Sequence, residues 1–254
     1  MTTTRHILLA ILTGLLVFSL GCSDDDGENN PTIPGGGSDP AVELIQAEGA
    51  AMAQALVETL PELAGGALGS KSIGDAYYDE TCVCWYWGDY EGNENSNPWW
   101  ARSTNFSGAF FDGDTPQMDF EGADKIVLTM MFMYDGSDFS ETTYHSKSIV
   151  FDMNLDGTGW LQGAMAISGT GTGHASGGTG NYEDEEWDGF FEEFDIDVDL
   201  VMPPLGCPTG TIGLATEEAS FVMGFNGTGT ATWTYKVGQT QVGAGTFAVG
   251  CGGM

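Results

Sequence analysis

The chain has 254 residues, with 37 Asp and Glu against 6 Lys and Arg, so its formal net charge is −31. A field of this sign repels phosphate backbones, which excludes nucleic acid as a partner. Hydrophobic residues make up 41% of the chain and aromatic residues 11%. This content is too high for an acidic disordered tail, so most of the chain is expected to fold.

The first residues have the layout of an export signal. Arg5 and His6 precede an apolar run from Ile7 to Leu20, which is shorter than the roughly 20 residues that a helix needs to span a bilayer. The segment Phe18-Ser19-Leu20-Gly21-Cys22 resembles the lipobox of bacterial lipoproteins, in which the cysteine becomes the lipidated N-terminus. The alternative is an ordinary cleaved signal in which Cys22 is incidental.

The lipobox resemblance implies a signal peptide over residues 1–21 and a lipid anchor on Cys22. Because Ser23 and not Asp follows this cysteine, the resemblance further implies an outer-membrane location, with the domain facing either the periplasm or the cell surface. Removal of the signal takes away Arg5 and makes the net charge −32. Residues 22–39 are acidic and rich in Gly and Pro, which predicts a flexible tether.

A single helical segment is predicted over residues 40–68. Asp39 can cap its N-terminus, Pro40 suits the first helical position, and the apolar residues that follow have helical spacing. We expect Pro61 to end or kink this helix, and Gly65-Gly66 to end any helical segment that continues beyond Pro61.

Residues 75–254 have the pattern of an antiparallel β domain of about nine to eleven strands. The predicted fold class is therefore all-β, an antiparallel meander that forms an open or closed barrel or sandwich, with one N-terminal α-helix. Asp195, Asp197 and Asp199 alternate with apolar residues, which indicates a strand with one dry face and one wet face. The Gly-Thr runs between residues 168 and 180 are interpreted as strand edges and a mobile loop.

Other segments of this domain give more specific expectations. The strand from Ile126 to Tyr134 is apolar on both faces, so it is expected either to be covered on both sides or to line an apolar cavity. Four dipeptides are typical of hairpin turns, and they are Asp112-Gly113, Asp135-Gly136, Asp156-Gly157 and Asn226-Gly227.

Four cysteines follow Cys22, and they are Cys82, Cys84, Cys207 and Cys251. An even number in an exported chain favours two disulfides. Cys82 and Cys84 would lie on one face of a strand, where a bond between them would be strained, so each is expected to reach Cys207 or Cys251. The alternative is a Cys207–Cys251 bridge, whose long loop would contribute about 4 kcal/mol in the chain-entropy model.

Asp152, Asn154 and Asp156, followed by Gly157, match the first half of a calcium-binding loop. Oxygen ligands at alternate positions and a Gly at the bend suit Ca²⁺, which is the one cofactor the sequence suggests. Gly163 stands where such a loop has its bidentate Glu, and the flanks have strand patterns. The alternative is therefore an acidic hairpin turn.

Trp85, Trp87, Trp99 and Trp100 form an aromatic cluster beside Asn and Asp residues. This composition is found on sugar-stacking faces, and the four Trp are candidate ligand-binding residues. The alternative, which is more common in β domains, is that they belong to the core or cap a barrel mouth.

Together these patterns predict an exported, lipid-anchored envelope lipoprotein whose β domain is a binding or structural module. Two alternatives stay open, a carrier of an apolar ligand or lipid in a half-barrel and a glycan-active enzyme with two carboxylates. The chain contains no G-x-S-x-G, S-x-x-K or H-E-x-x-H motif, which favours a role without catalysis and leaves no catalytic residue to name. The membrane is the expected partner, with polysaccharide or an apolar molecule as the candidate ligand.

Overall fold

A computed structural model describes residues 40–66, 77–93, 95–117, 123–140, 142–159, 164–181, 187–203, 206–249 and 251. The predicted signal peptide, Cys22 and the predicted tether lie outside the described residues. Within them the fold class is confirmed, because one helix near the N-terminus is followed by a single antiparallel sheet. The elements are α1 (Pro40–Gly66), β1 (Tyr77–Asp79), β2 (Cys84–Gly92), β3 (Trp99–Asp112), β4 (Thr115–Gln117), β5 (Lys125–Phe139), β6 (Thr143–Thr158), β7 (Met165–Asn181), β8 (Trp187–Met202), β9 (Thr209–Ala215), β10 (Ala219–Asn226), β11 (Thr230–Val237) and β12 (Thr240–Ala248).

The twelve strands form one sheet, and apart from the short β4 they pair in sequence order. The order is β1-β2-β3-β5-β6-β7-β8-β9-β10-β11-β12, and the short β4 pairs only with the end of β3. The first and last strands of this order do not pair with each other in the described part of the chain. The sheet is therefore open, so of the open and closed forms that the sequence predicted, the open one is present.

Helix α1 packs on one face of the sheet, against β6, β7 and β8. It begins at Pro40 and ends at Gly66, at the predicted Gly65-Gly66 stop, and it continues through Pro61. Its buried positions recur every three or four residues and so form one stripe, as expected for a helix with one face in a core. They are Ala41, Leu44, Ile45, Glu48, Gly49, Met52, Ala53, Leu56 and Val57.

The inner face of the sheet is apolar from β3 to β10 and joins the helix stripe in a single core. On β8, Phe194, Ile196, Val198 and Leu200 are at most 3% exposed, whereas the Asp residues between them are exposed. This confirms the predicted dry and wet faces. Each fully buried side chain of this size stabilises the fold by about 1.5–3 kcal/mol.

Strand β7 differs from its prediction. The Gly-Thr runs form a 17-residue strand in the middle of the sheet, not strand edges and a mobile loop. Its inward positions include Gly169, Gly171 and Gly173, and a Cβ at Gly171 would overlap the carbonyl oxygen of Asp152 and lie 2.8 Å from the Cα of Met153. Glycine is needed here because the backbones of β6 and β7 approach too closely for a side chain.

Two of the four predicted turns are present, at Asp112-Gly113 and Asn226-Gly227, where the glycines have φ of +58° and +79°. The other two predictions are wrong. Asp135-Gly136 lies inside β5, and Asp156-Gly157 lies near the end of β6 but still pairs on both sides. Continuous pairing along two long strands outweighs the local preference of these dipeptides for a turn.

The prediction for the Ile126–Tyr134 segment is also wrong in part. Strand β5 is central and its inner side chains are buried, but Val127 and Met131 on its outer face are each 37% exposed. The described residues therefore cover this strand on one side only. The inner side contacts the core around α1.

Candidate binding face

The outer face of β6, β7 and β8 carries a regular array of polar side chains. The register aligns one residue from each strand in three rows, so that a Ser or Thr on β7 lies between an acidic or amide residue on β6 and an Asp on β8. All nine side chains are exposed. We call this array the polar ladder, and its rows are Asp152-Thr172-Asp195, Asn154-Thr170-Asp197 and Asp156-Ser168-Asp199.

The geometry of the polar ladder follows from the sheet. Neighbouring rungs on one strand are about 6.8 Å apart, and neighbouring strands are about 4.8 Å apart. Carboxylates on the outer strands accept hydrogen bonds, and hydroxyls on the middle strand both donate and accept them. The ladder can therefore form several hydrogen bonds with one ligand that carries many hydroxyl groups.

Beside the polar ladder lies an open depression of about 670 Å³ on the same face. Strand β9 places Gly213 and Ala215 there, next to Asp197 and Asp195 respectively. These small residues lower the surface between the β8 acids and the next strand, where Ser220 and Val222 form the other border. Its lining also includes the ladder residues Asp152, Asn154, Thr170 and Thr172.

Two exposed contacts join the ladder to the neighbouring strand β5. Lys125 Nζ lies 3.4 Å from Asp156 Oδ1, and both side chains are exposed. Thr129 donates a hydrogen bond of 3.3 Å from its Oγ1 to Asn154 Oδ1. An exposed ion pair of this kind contributes under about 1 kcal/mol, so stability does not explain why acids stand at these positions.

The predicted calcium loop is not formed. Asp152, Asn154 and Asp156 are successive outward residues of strand β6, about 6.8 Å apart, whereas Ca²⁺ requires six to eight oxygens within about 2.6 Å. In the part of the chain that the structure describes, no group of three or more His, Cys, Asp or Glu side chains is placed to hold a metal ion. The same three residues are instead one side of the polar ladder.

The four candidate tryptophans do not form one stacking face. Trp85 is half-buried on the inner face of β2, contacts the core, and has its ring 5.1 Å from that of Tyr78. Trp99 and Trp100 are consecutive residues of β3 and therefore point to opposite faces. Trp87 pairs with Phe106 through the backbone, and its side chain lies outside the described residues. Trp85 thus fits the alternative, a place in the core.

The four cysteines form two disulfides, but the favoured pairing is wrong. Cys82 bonds to Cys84 and Cys207 bonds to Cys251, with Cα separations of 5.2 and 4.5 Å. Cys82 lies in the turn before β2, so the two N-terminal cysteines are not on one face of a strand. The start of β9 and the end of β12 lie at the same end of the C-terminal meander, which brings Cys207 to Cys251.

A second polar cluster, which the sequence analysis missed, joins α1 to the sheet. Arg102 of β3 donates from Nε to Glu48 Oε2 at 2.7 Å and from Nη2 to Glu48 Oε1 at 2.9 Å, and Glu48 is 4% exposed. Nη1 donates to the exposed Glu91 at 3.2 Å. The guanidinium carbon lies 5.4 Å from the ring of Trp100 and 5.6 Å from that of Tyr134.

Electrostatics in this cluster favour the charged form of the arginine. Burial alone lowers the pKa of Arg102, but the hydrogen bond and negative charge of Glu48, followed by those of Glu91, raise it above its ordinary value. Burial raises the pKa of Tyr134, and the negative charge of Glu48 adds to this effect. One feature of the sequence indicates this cluster. Glu48 lies inside the apolar stripe of α1, and a buried acid requires a partner.

No helix among the described residues is long and apolar enough to cross a membrane. Comparison of the chain with protein-family models, with curated proteins and with solved structures finds no match. The candidate function therefore depends on the residues themselves.

Proposed function

We infer that this chain is an exported, lipid-anchored envelope lipoprotein whose β domain binds a hydroxyl-rich polymer, a polysaccharide, through the polar ladder. The observation that carries the proposal is the alignment of acid, hydroxyl and acid across three strands on an exposed face beside an open depression. The lipobox-like segment ending in Cys22 and the acidic stretch after it support the anchor and the envelope location.

The chemistry of the face favours a neutral or cationic glycan over a polyanion. Five of the nine ladder residues are Asp, and the whole chain has a net charge of −31, so phosphate- or sulfate-rich polymers are repelled. Sugar hydroxyls can donate to the carboxylates and exchange hydrogen bonds with the Thr and Ser hydroxyls. The spacing of the rungs allows a chain of sugars to contact several rows in succession.

The packing of α1 on the inner face of the sheet supports binding at the outer face and not at the inner one. Met52, Ala53 and Leu56 of α1 are 0% exposed and cover the inner face of the sheet as part of one core. A carrier of an apolar ligand would need this space for its cargo. A hydrolytic role likewise lacks support, because the described lining of the depression includes no aromatic side chain beside its acids.

Retention on insoluble polysaccharides tests the proposed binding. We expect the mature domain to be retained on at least one neutral or cationic polysaccharide, and Asp195→Ala with Asp197→Ala to weaken retention at least tenfold. Asp138→Ala provides a matched control because this acid is exposed but lies outside the ladder. Loss of retention in the control as well, or no retention of the wild type on any such polymer, would contradict the proposal.

Membrane fractionation tests the anchor separately. Cys22→Ser is expected to release the protein from the membrane fraction or to leave its signal uncleaved, since it removes the site of acylation. The variant with Cys82→Ser and Cys84→Ser serves as a control for the loss of cysteines elsewhere in the chain, because their short loop contributes little to fold stability. Unchanged membrane association of the Cys22→Ser variant would remove the anchor from the proposal without affecting the polar ladder.

A further inference from the structure

The two disulfides differ in the length of chain that they close. Cys207–Cys251 spans 44 positions and joins the segment before β9 to the segment after β12. Cys82–Cys84 spans two positions and encloses only Val83, in the turn between β1 and β2. Because stabilisation by a cross-link grows with the logarithm of loop length, the short loop contributes the smaller share of fold stability.

The residue enclosed by the short loop has an unfavourable backbone conformation. Val83 has a φ of +55°, and it is the one non-glycine residue with positive φ in the described part of the chain. A β-branched side chain is disfavoured there because its Cβ approaches the backbone carbonyl oxygen. The pairing of Asp79 with Cys84 and the Cys82–Cys84 bond both close the chain around Val83, so opening the bond would remove one of two constraints on its backbone.

The sulfur atoms of the short loop are also accessible. Cys82 is exposed and Cys84 is half-buried, so an incoming thiolate reaches the Sγ of Cys82 more readily. The hydroxyl oxygen of Tyr86 lies 3.8 Å from the same Sγ. A hydroxyl at this position can donate to a Cys82 thiolate and so favour the reduced, ionised form.

From these three features we propose that Cys82–Cys84 is a redox-active disulfide that oxidises dithiols by thiol–disulfide exchange, while Cys207–Cys251 is structural. One thiolate of the dithiol attacks Cys82 Sγ, the Cys82–Cys84 bond breaks, and Cys84 leaves as a thiolate that takes a proton from water. The second thiolate of the dithiol then attacks the sulfur joined to Cys82, and Cys82 leaves. Two electrons pass to the protein, and the dithiol becomes a disulfide.

Stepwise reduction of the folded protein tests the proposal, with dithiothreitol as the dithiol. At low reductant we expect alkylation and peptide mass analysis to find Cys82 and Cys84 free and Cys207 and Cys251 still bonded. One equivalent of oxidised dithiothreitol should form, and the circular dichroism of the sheet should persist. The variant with both Cys82→Ser and Cys84→Ser should lose this first step. Opening of both bonds together, or of Cys207–Cys251 first, would overturn the proposal.

A second variant tests the contribution of the backbone. Asn tolerates positive φ better than Val, so Val83→Asn is expected to lower the equilibrium constant for reduction of Cys82–Cys84 by about fivefold. Val242→Asn, at an exposed position of β12 outside the depression, is the matched control and should leave the constant unchanged. An unchanged or higher constant for Val83→Asn would refute the role of this residue in making the disulfide reducible.

Discussion

The two faces of β6 differ completely although their residues alternate along one strand. Phe151, Met153 and Leu155 are at most 1% exposed and contact the core, whereas their neighbours Asp152 and Asn154 are exposed. A shift of the register by one residue would exchange the two sets, placing carboxylates in the core. The alternation of side chains between the two faces therefore separates the residues that stabilise this protein from those proposed to bind a ligand.

The two faces of β7 differ in the side-chain size that they allow as well as in polarity. Its inward glycines allow close approach to β6 and leave room for Phe194, whose ring would overlap a Cβ at Gly173. Its outward Thr170 and Thr172 are exposed and have no such restriction. Substitutions on neighbouring positions of one strand should therefore have separable effects, large on stability inside and small outside.

The largest expected effect is that of Gly171→Val. The new Cβ would overlap the backbone oxygen of Asp152, which cannot move as a flexible side chain could. We expect a loss of about 5 kcal/mol or more, comparable with the whole stability of many domains. Urea denaturation followed by circular dichroism measures this loss, and failure to fold in soluble form would agree with it.

The next residue provides the matched control for the inner face. Thr172→Val has nearly the same shape as the wild-type residue and lies on the exposed side, so its free energy of unfolding should change by no more than about 0.5 kcal/mol. Equal losses for the Gly171→Val and Thr172→Val variants would show that the two faces of β7 are not distinct in the way described.

Removal of the buried carboxylate between helix and sheet is expected to have the second largest effect. Glu48→Ala leaves the half-buried guanidinium of Arg102 with its exposed contact to Glu91 alone, and we expect a loss of about 3 kcal/mol. Glu91→Ala removes the exposed contact of the same arginine and should cost less than about 1 kcal/mol.

Chemical denaturation of both variants checks this difference. If the Glu91→Ala variant were destabilised as much as the Glu48→Ala variant, burial would not be what makes the Glu48–Arg102 pair important. The variant with Glu48→Met and Arg102→Met should recover much of the loss, because apolar side chains can replace a buried ion pair with little cost.

The sequence was sufficient for the predictions that depend on a regular period. Alternation at residues 194–200 predicted both faces of β8, and helical spacing from Pro40 predicted α1 and its start. These patterns are local, and the pairing partners of the strand do not alter them. The class of the fold could therefore be inferred without knowing which strands are neighbours.

The features that depend on the register between paired strands could not be inferred. Three rows of the polar ladder exist because the register aligns Asp152 with Thr172 and Thr172 with Asp195, and no local pattern contains that register. The same applies to the glycines of β7, because their close approach to β6 depends on how the two strands pair. The disulfide prediction failed because a turn, and not a strand, contains Cys82.

The smallest expected effect is a gain in stability on neutralising one carboxylate of the outer face. Asp197 has acidic neighbours, since Asp195 and Asp199 lie about 6.8 Å away on the same face of β8 and like charges repel at that distance in low salt. We expect Asp197→Asn to raise the free energy of unfolding by a few tenths of a kcal/mol at 0.01 M salt, where the screening length is about 30 Å, and to have no effect at 1 M. Urea denaturation at the two ionic strengths measures the change.

Asp138→Asn removes the same unit of net charge outside the ladder and should give a smaller gain. If the two variants gained equally, the whole negative charge of the protein, and not the close acids of the outer face, would be responsible for the repulsion.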